Sequence, residues 1–282
     1  VMRSEKRFAV DYDGKKLFNE RTTVRLDVLL DPVRHAAQIA LYDHITDYVR
    51  ICFGRAKSAK RNATGLVMVM LQELASSSTD AILSALRTRL YRLENGEDED
   101  NLDGYGLDGS LDYEDDELDV GDYSVEHTSS GLKTEIEMLQ KLVEEAEQCR
   151  ATETDAKATA LMEKIYSLRS SGIEANNKVL VFTEFRQTQD FLIRVLNEQG
   201  LKCEKVNGSM SMEERHRALV NFRDEADVLV ATDAAGESLN VQFCHIVFNY
   251  DLPWNPMALE QRIGRVDRIG QKYEVQAYNM LT

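Results

Sequence analysis

Several things are scarce in this chain of 282 residues, and each scarcity narrows what the protein does. The four cysteines, Cys52, Cys149, Cys203 and Cys244, lie far apart, with no Cys-x-x-Cys pair and no matching histidine cluster. That spacing argues against a zinc site or a disulfide framework and for reduced thiols in a cytosolic protein. The longest strongly apolar run, LVMVML at 66–71, is far short of the ~20 residues that cross a bilayer, so no membrane partner is expected. No basic-then-apolar leader opens the sequence, which speaks against secretion. No Gly-x-x-x-x-Gly-Lys-Ser/Thr stretch occurs either. The nearest candidate, DGKK at 13–16, lacks the preceding glycine spacing of a phosphate-cradling loop.

Base is missing from one stretch. Between Glu94 and Glu126 there are fifteen acids and no Lys or Arg. The whole chain holds 49 acids and 34 bases, so 49 − 15 leaves 34 acids against 34 bases elsewhere. The formal charge of −15 therefore belongs to one insert, and the acidic balance does not argue against a nucleic-acid partner. The insert has no sustained periodicity and is rich in Asp, Gly and Ser. It buries too little apolar surface to offset its ordering entropy, and disorder over 94–130 is expected. Its DDEL at 115–118 follows no apolar strand, so it is not a nucleotide-site acid pair. With Tyr105, Tyr113 and Tyr123 among the acids, the insert reads either as a solvated excursion or as a mimic of nucleic acid.

The insert separates two unlike halves. Residues 1–30 look extended or irregular. Residues 31–93 read as helix: Asp31 and Pro32 suit a cap and first turn, and Ile39, Tyr42, Ile45, Val49 and Phe53 recur at three- and four-residue steps. Two further helices follow through LVMVMLQEL and TDAILSALRTRLYRL. Residues 131–170 again read as helix. From 171 to 282 the pattern alternates. KVLVFTEF, CEKVNG, DVLVATD, HIVFNYD and YEVQAYNML read as short strands, with helices between several of them. One of those helices opens with Ser211 and Glu214 in capping-box spacing. Such alternation predicts an α/β fold, a parallel sheet with helices on both faces, preceded by a mainly helical segment.

Ligands of open parallel sheets collect at the carboxyl ends of the strands. Three loops fall there: Thr183-Glu184-Phe185, Asp233-Ala234-Ala235-Gly236-Glu237 and Asp251-Leu252-Pro253-Trp254. Each is also readable as a plain strand-to-helix turn. LEQRIGRVDRIGQ at 259–271 carries Arg262, Arg265 and Arg268 at a spacing of three, either a solvated helix face or a set of phosphate contacts. Guanidinium forks suit phosphate oxygens. Gly264 and Gly270 would each cost ~1 kcal/mol inside a helix, which favours a segment held close to a ligand. Trp254 reads as a packing anchor or as a stacking platform. His216 and His245 form no triad or metal set.

Order along the chain adds a resemblance. VLVFTEF, VNGSMSMEER, VLVATDAAGESLNVQ, HIVFNYDLPWNP and QRIGRVDRIGQ together resemble the second RecA-like lobe of superfamily-two helicases. DLPWNP and QRIGRVDRIGQ are similar to the Swi/Snf-like ATPases, particularly bacterial ones. The N-terminal part resembles the same family more faintly: MRSEK at 2–6 is similar to the segment leaving the first lobe, and the helices that follow to a protrusion and linker. The resemblance implies a lobe of a nucleic-acid-dependent ATPase whose ATP and Mg2+ are held mainly by a first RecA-like lobe outside these residues. Arg265 and Arg268 would be its arginine fingers, and Gln261, Arg262, Gly236 and Glu237 would lie at the ATP cleft. Thr183, Gly208, Ser209 and Thr232 would meet the backbone of double-stranded DNA, although Ser209 reads equally as a turn residue. The different class to weigh is a non-catalytic RecA-like module for protein docking.

Overall fold

The computed structural model describes residues 9–10, 12–14, 16–58, 62–96, 105, 129–170, 178–236 and 239–282. Apart from 94–96, Tyr105 and 129–130, the insert expected to be disordered lies outside the described residues. Two compact units emerge, one of Val1–Val28 with Ala158–Thr282, the other of Leu29–Lys157.

The second unit is helical: α1 (Ala36–Ser58), α2 (Asn62–Ser77), α3 (Thr79–Asn95) and α4 (Ser129–Thr152), followed by the start of α5 (Ala156–Ser170). Its core draws on Ile45, Leu71, Leu86 and Leu139, one from each of the four helices, all fully buried. A buried polar triad accompanies them. Arg89 Nε donates to the Tyr48 hydroxyl at 2.6 Å, and that hydroxyl donates to Glu135 Oε1 at 2.9 Å. Burial holds the Tyr48 phenol well above its ordinary range.

Two helix boundaries differ from the sequence expectation. Asp31 and Pro32 open a turn, not the helix, and Asp31 Oδ1 accepts the Val33 and Arg34 amides; α1 starts at Ala36. The single helix expected over 131–170 breaks at 153–155. At the break, side chains serve the ends of other helices. The Glu153 carboxylate accepts the Ala37 and Gln38 amides at 2.8 and 3.0 Å, completing the N-terminus of α1. Gln38 Oε1 in turn accepts the Ala156 amide at the start of α5.

The first unit is built on six parallel strands: β1 (Arg21–Asp27), β2 (Val179–Thr183), β3 (Cys203–Val206), β4 (Val228–Thr232), β5 (Ile246–Asn249) and β6 (Val275–Leu281). Their order is β1-β6-β5-β2-β4-β3. The central strands β2 (VLVFT) and β4 (VLVAT) are buried at every position, as continuous apolar runs in a two-sided sheet require. Alternate residues serve opposite faces. Leu180, Phe182, Leu229, Ala231 and Val247 join one cluster with Phe222 of α7 (Met212–Asp224), Ala235 of α8 (Asp233–Gly236) and Ile263 of α9 (Pro256–Ile263). On the other face Phe248 stacks on Tyr278 at 4.8 Å, and Lys164 of α5 lies over the Tyr278 ring. That face also receives α6 (Arg186–Glu198), as a right-handed crossover from β2 to β3 demands.

β1 was not foreseen as a strand. It pairs in parallel with β6, from Arg21 beside Val275 to Asp27 beside Leu281. An edge strand, its side chains are almost all exposed, so RTTVRLD carries no core pattern.

Candidate functional site

β2 leaves the sheet toward one face through α6, whereas its neighbours β4 and β5 lead into α8 and α9 on the other. Chains diverging to opposite faces open a crevice at the carboxyl ends of adjacent strands. The three strand-end loops singled out from the sequence meet there.

Arg262, in the last turn of α9, joins them. Its Nε donates to Asp233 Oδ1 at 2.6 Å and its Nη2 to Asp233 Oδ2, a two-pronged pair to the residue directly after β4. Nη1 donates to the Asp251 carbonyl beyond β5. The same guanidinium lies 3.8 Å from Glu184 beyond β2 and 5.5 Å from the centre of the Phe182 ring. The Arg262 side chain is 2% exposed. Asp251 extends the network: its carboxylate accepts the Thr183 hydroxyl and the Glu184 amide. A second fork holds α9 from outside, where Arg21 of β1 donates to both Glu260 oxygens at 2.8 Å. Those hydrogen bonds raise the Arg21 pKa.

Beyond Arg262 the helix stops. Gly264 is the C-cap of α9, and a Cβ there would meet the Glu260 and Gln261 carbonyls at 3.1 and 3.2 Å. Gly270 has φ +95, open to glycine at little cost. Of the two readings of the three arginines, the solvated helix face is therefore not formed. Arg262 is helical and buried, while Arg265 and Arg268 sit on an irregular segment, half-buried. Both glycines have a backbone reason, independent of any ligand. Arg268 donates from Nε to the Gly264 carbonyl at 3.2 Å and from Nη2 to the Leu239 carbonyl at 3.1 Å. Gln261 is exposed, and Gly236 ends α8. Glu237 lies outside the described residues.

The residues expected at nucleic acid divide into two kinds. Thr183 and Thr232, at the ends of β2 and β4, have no exposed surface. Both side chains are buried in this lobe, and the Thr183 hydroxyl donates to the Asp251 carboxylate. Gly208 and Ser209 instead belong to the loop after β3, with Ser209 exposed. That loop is tied down from below. The buried Gln189 of α6 donates to the Val206 and Val230 carbonyls and accepts from Asn207, which accepts the Ser209 hydroxyl at 2.8 Å. Arg215 donates to the Gly208 carbonyl at 2.8 Å. Gln189 and Asn207 escaped the sequence reading, because a polar residue on a helix or in a loop gives no sign that it is buried.

Among the described residues no group of three His, Cys, Asp or Glu side chains is placed to hold a metal ion. None of their helices is long and apolar enough to cross a membrane.

Residues 156–270 match the family described as helicase conserved C-terminal domain. An ATP-dependent helicase of Bacillus subtilis, YqhH, is 46% identical over 107 residues, 38% of this chain and 19% of that protein. The RNA polymerase-associated protein RapA of Vibrio cholerae is 36% identical over 138 residues, 48% of this chain and 14% of that one. The chain thus spans about a fifth or less of these curated relatives. Among solved structures, the C-terminal part of the Fun30 ATPase domain superposes with a TM-score of 0.54 at 19% identity, over 94% of this chain and 86% of that one. The Hef helicase domain of Pyrococcus furiosus gives 0.55 at 15% identity, over 94% and 55%. At such identities the likeness concerns the fold, which is RecA-like.

Proposed function

We propose that this chain carries the C-terminal, RecA-like lobe of a Swi/Snf-like superfamily-two helicase, a reading supported by the helicase C-terminal match and the relatives' names, and that it is one half of an ATP-driven motor on double-stranded DNA. The other half is a first RecA-like lobe outside these 282 residues, which holds ATP and Mg2+. The relatives' names, an ATP-dependent helicase and an RNA polymerase-associated protein, support ATP use and a bacterial, cytoplasmic setting.

The carrying observation is the contrast among the three arginines. Arg262, itself buried, is committed to the partly exposed Asp233 carboxylate through two charge-assisted hydrogen bonds, a pair that a ligand does not displace cheaply. Arg268 rests on two neutral carbonyls. Exchanging those for a phosphate oxygen gains charge-assisted bonds, so Arg268 is the group able to change partner. Arg265 and Arg268 act as the fingers that neutralise charge developing on the γ-phosphate. Arg262 is the clamp that fixes α9 to the ends of β4 and β5, so that the segment beyond it meets the cleft. Gln261, Gly236 and Glu237 border the nucleotide.

Nucleic acid is held through backbone phosphates, which position a motor without reading sequence. Gly208 and Ser209 make these contacts. Thr183 and Thr232 support the strand ends. Cleft closure on ATP and opening after hydrolysis move one lobe against the other along the duplex.

The test compares ATP hydrolysis by the full-length protein with that by residues 1–282 alone, each with and without duplex DNA. DNA-stimulated turnover is expected only of the full-length protein. Turnover by 1–282, or none by the full-length protein with DNA, overturns the reading.

A further inference from the structure

The segment carrying Arg265 and Arg268 leaves the helix in local turns, in which the Arg265, Val266 and Asp267 amides donate back to the Arg262 and Ile263 carbonyls. One side chain from further along ties that segment at the Val266 carbonyl to the strands beside it. Gln271 is 8% exposed, and its Nε2 lies 3.0 Å from the Val266 carbonyl, 2.9 Å from the Cys244 carbonyl and 3.0 Å from the Gln242 carbonyl. Its Oε1 accepts the Lys272 and Tyr273 amides at 2.8 and 3.2 Å. The Gln271 amide donates to the Arg268 carbonyl at 3.1 Å. Outside, Asn19 donates to the Gln271 carbonyl at 2.7 Å.

A neutral carboxamide is the group this place calls for. It needs a donor end facing carbonyls and an acceptor end facing amides on the same planar head, which a carboxylate or an ammonium does not offer. Val266, fully buried between the two arginines, fixes the segment by packing. Gln271 fixes it by hydrogen bonds to the loop before β5 and to the turn entering β6. The two anchors bracket Arg268.

We infer that Gln271 is a positioning residue, holding the Arg265–Arg268 segment at the height from which its guanidinium groups reach the phosphate. The inference rests on the finger reading above. Misplacing a catalytic group by about 1 Å costs on the order of a hundredfold in rate.

The test uses the full-length protein with duplex DNA. Gln271→Met keeps the length of the side chain and removes every polar atom. It is expected to lower kcat for ATP about ten- to a hundredfold, with KM for ATP within about twofold. In an Arg268→Lys background, whose finger is already misplaced, Gln271→Met is expected to add less than about threefold, because the two act as a unit. A folded Gln271→Met with unchanged kcat, or a full additional loss in the Arg268→Lys background, overturns the inference. If Gln271→Met does not fold, Gln271→Glu takes its place, keeping the shape and removing the donor to the three carbonyls: kcat lowered at least about threefold supports the inference, and an unchanged kcat overturns it. Failure of the finger reading itself is separate, since Arg268→Ala then retains turnover whatever Gln271 does.

Discussion

Arg262 grips Asp233 with two parallel hydrogen bonds, Nε to Oδ1 at 2.6 Å and Nη2 to Oδ2, and so ties the last turn of α9 to the end of β4. Removing the guanidinium leaves a carboxylate and the buried Asp251 carbonyl without their donor. Arg262→Ala is expected to destabilise the lobe by about 1–3 kcal/mol, less than for a fully buried pair because water reaches the Asp233 carboxylate left behind. Arg262→Lys recovers less than half, because an ammonium lacks the fork. Urea denaturation of residues 1–282 measures both, and an Arg262→Ala midpoint equal to wild type refutes the clamp.

The Thr183 hydroxyl donates to the Asp251 carboxylate inside the fold. Thr183→Val keeps the shape and removes the donor, so a loss of about 1–2 kcal/mol is expected in the same denaturation series. If Thr183 served only as a nucleic-acid contact, stability would be unchanged and DNA affinity would fall instead.

Much of this arrangement was legible beforehand. Strands β2 to β6 fall within the apolar runs read from the sequence, and Ser211 and Glu214 form the capping box that their spacing implied. β1 was hidden because an exposed edge strand needs no alternating pattern. The break before α5 was hidden because the contact made there, Glu153 capping α1, joins residues 116 positions apart. At the site, the sequence singled out three strand-end loops, and the structure gathers them around Arg262. It did not distinguish Arg262 from Arg265 and Arg268, since three identical side chains at equal spacing look alike until the helix end at Gly264 separates them.

Glu214 offers a pH test at the loop that carries Gly208 and Ser209. Its carboxylate accepts the Ser211 amide and hydroxyl, and these hydrogen bonds hold its pKa below the ordinary 4.5. A folded pKa below the unfolded one means the stabilisation is present above pH 4.5 and is lost as pH falls through the lower, folded value. Amide exchange in the first turn of α7, corrected for intrinsic rate, is expected to speed up across that acidic window. In Glu214→Gln the pH-dependent component disappears. Equal pH profiles in the two proteins would count against the box.

Three thiols are expected to be inert in the folded chain. Burial pushes Cys149 up to about 11, and Cys203 and Cys244 each up to about 12. The thiolate is the reactive form, so iodoacetamide at pH 8 should leave all three unmodified in native protein and alkylate them in urea. Peptide mass mapping reads the result, and rapid native labelling of Cys244 contradicts its burial.

The most direct test of the motor-lobe reading is the DNA-stimulated kcat for ATP hydrolysis of Arg265→Ala and Arg268→Ala in the full-length protein, measured beside nucleotide affinity. Loss of an arginine finger is worth ~10³-fold or more. Turnover is expected to drop by about that factor in each variant, with the nucleotide Kd changed by less than about threefold. Near-normal turnover in both variants contradicts the assignment and leaves the segment beyond α9 without a catalytic role.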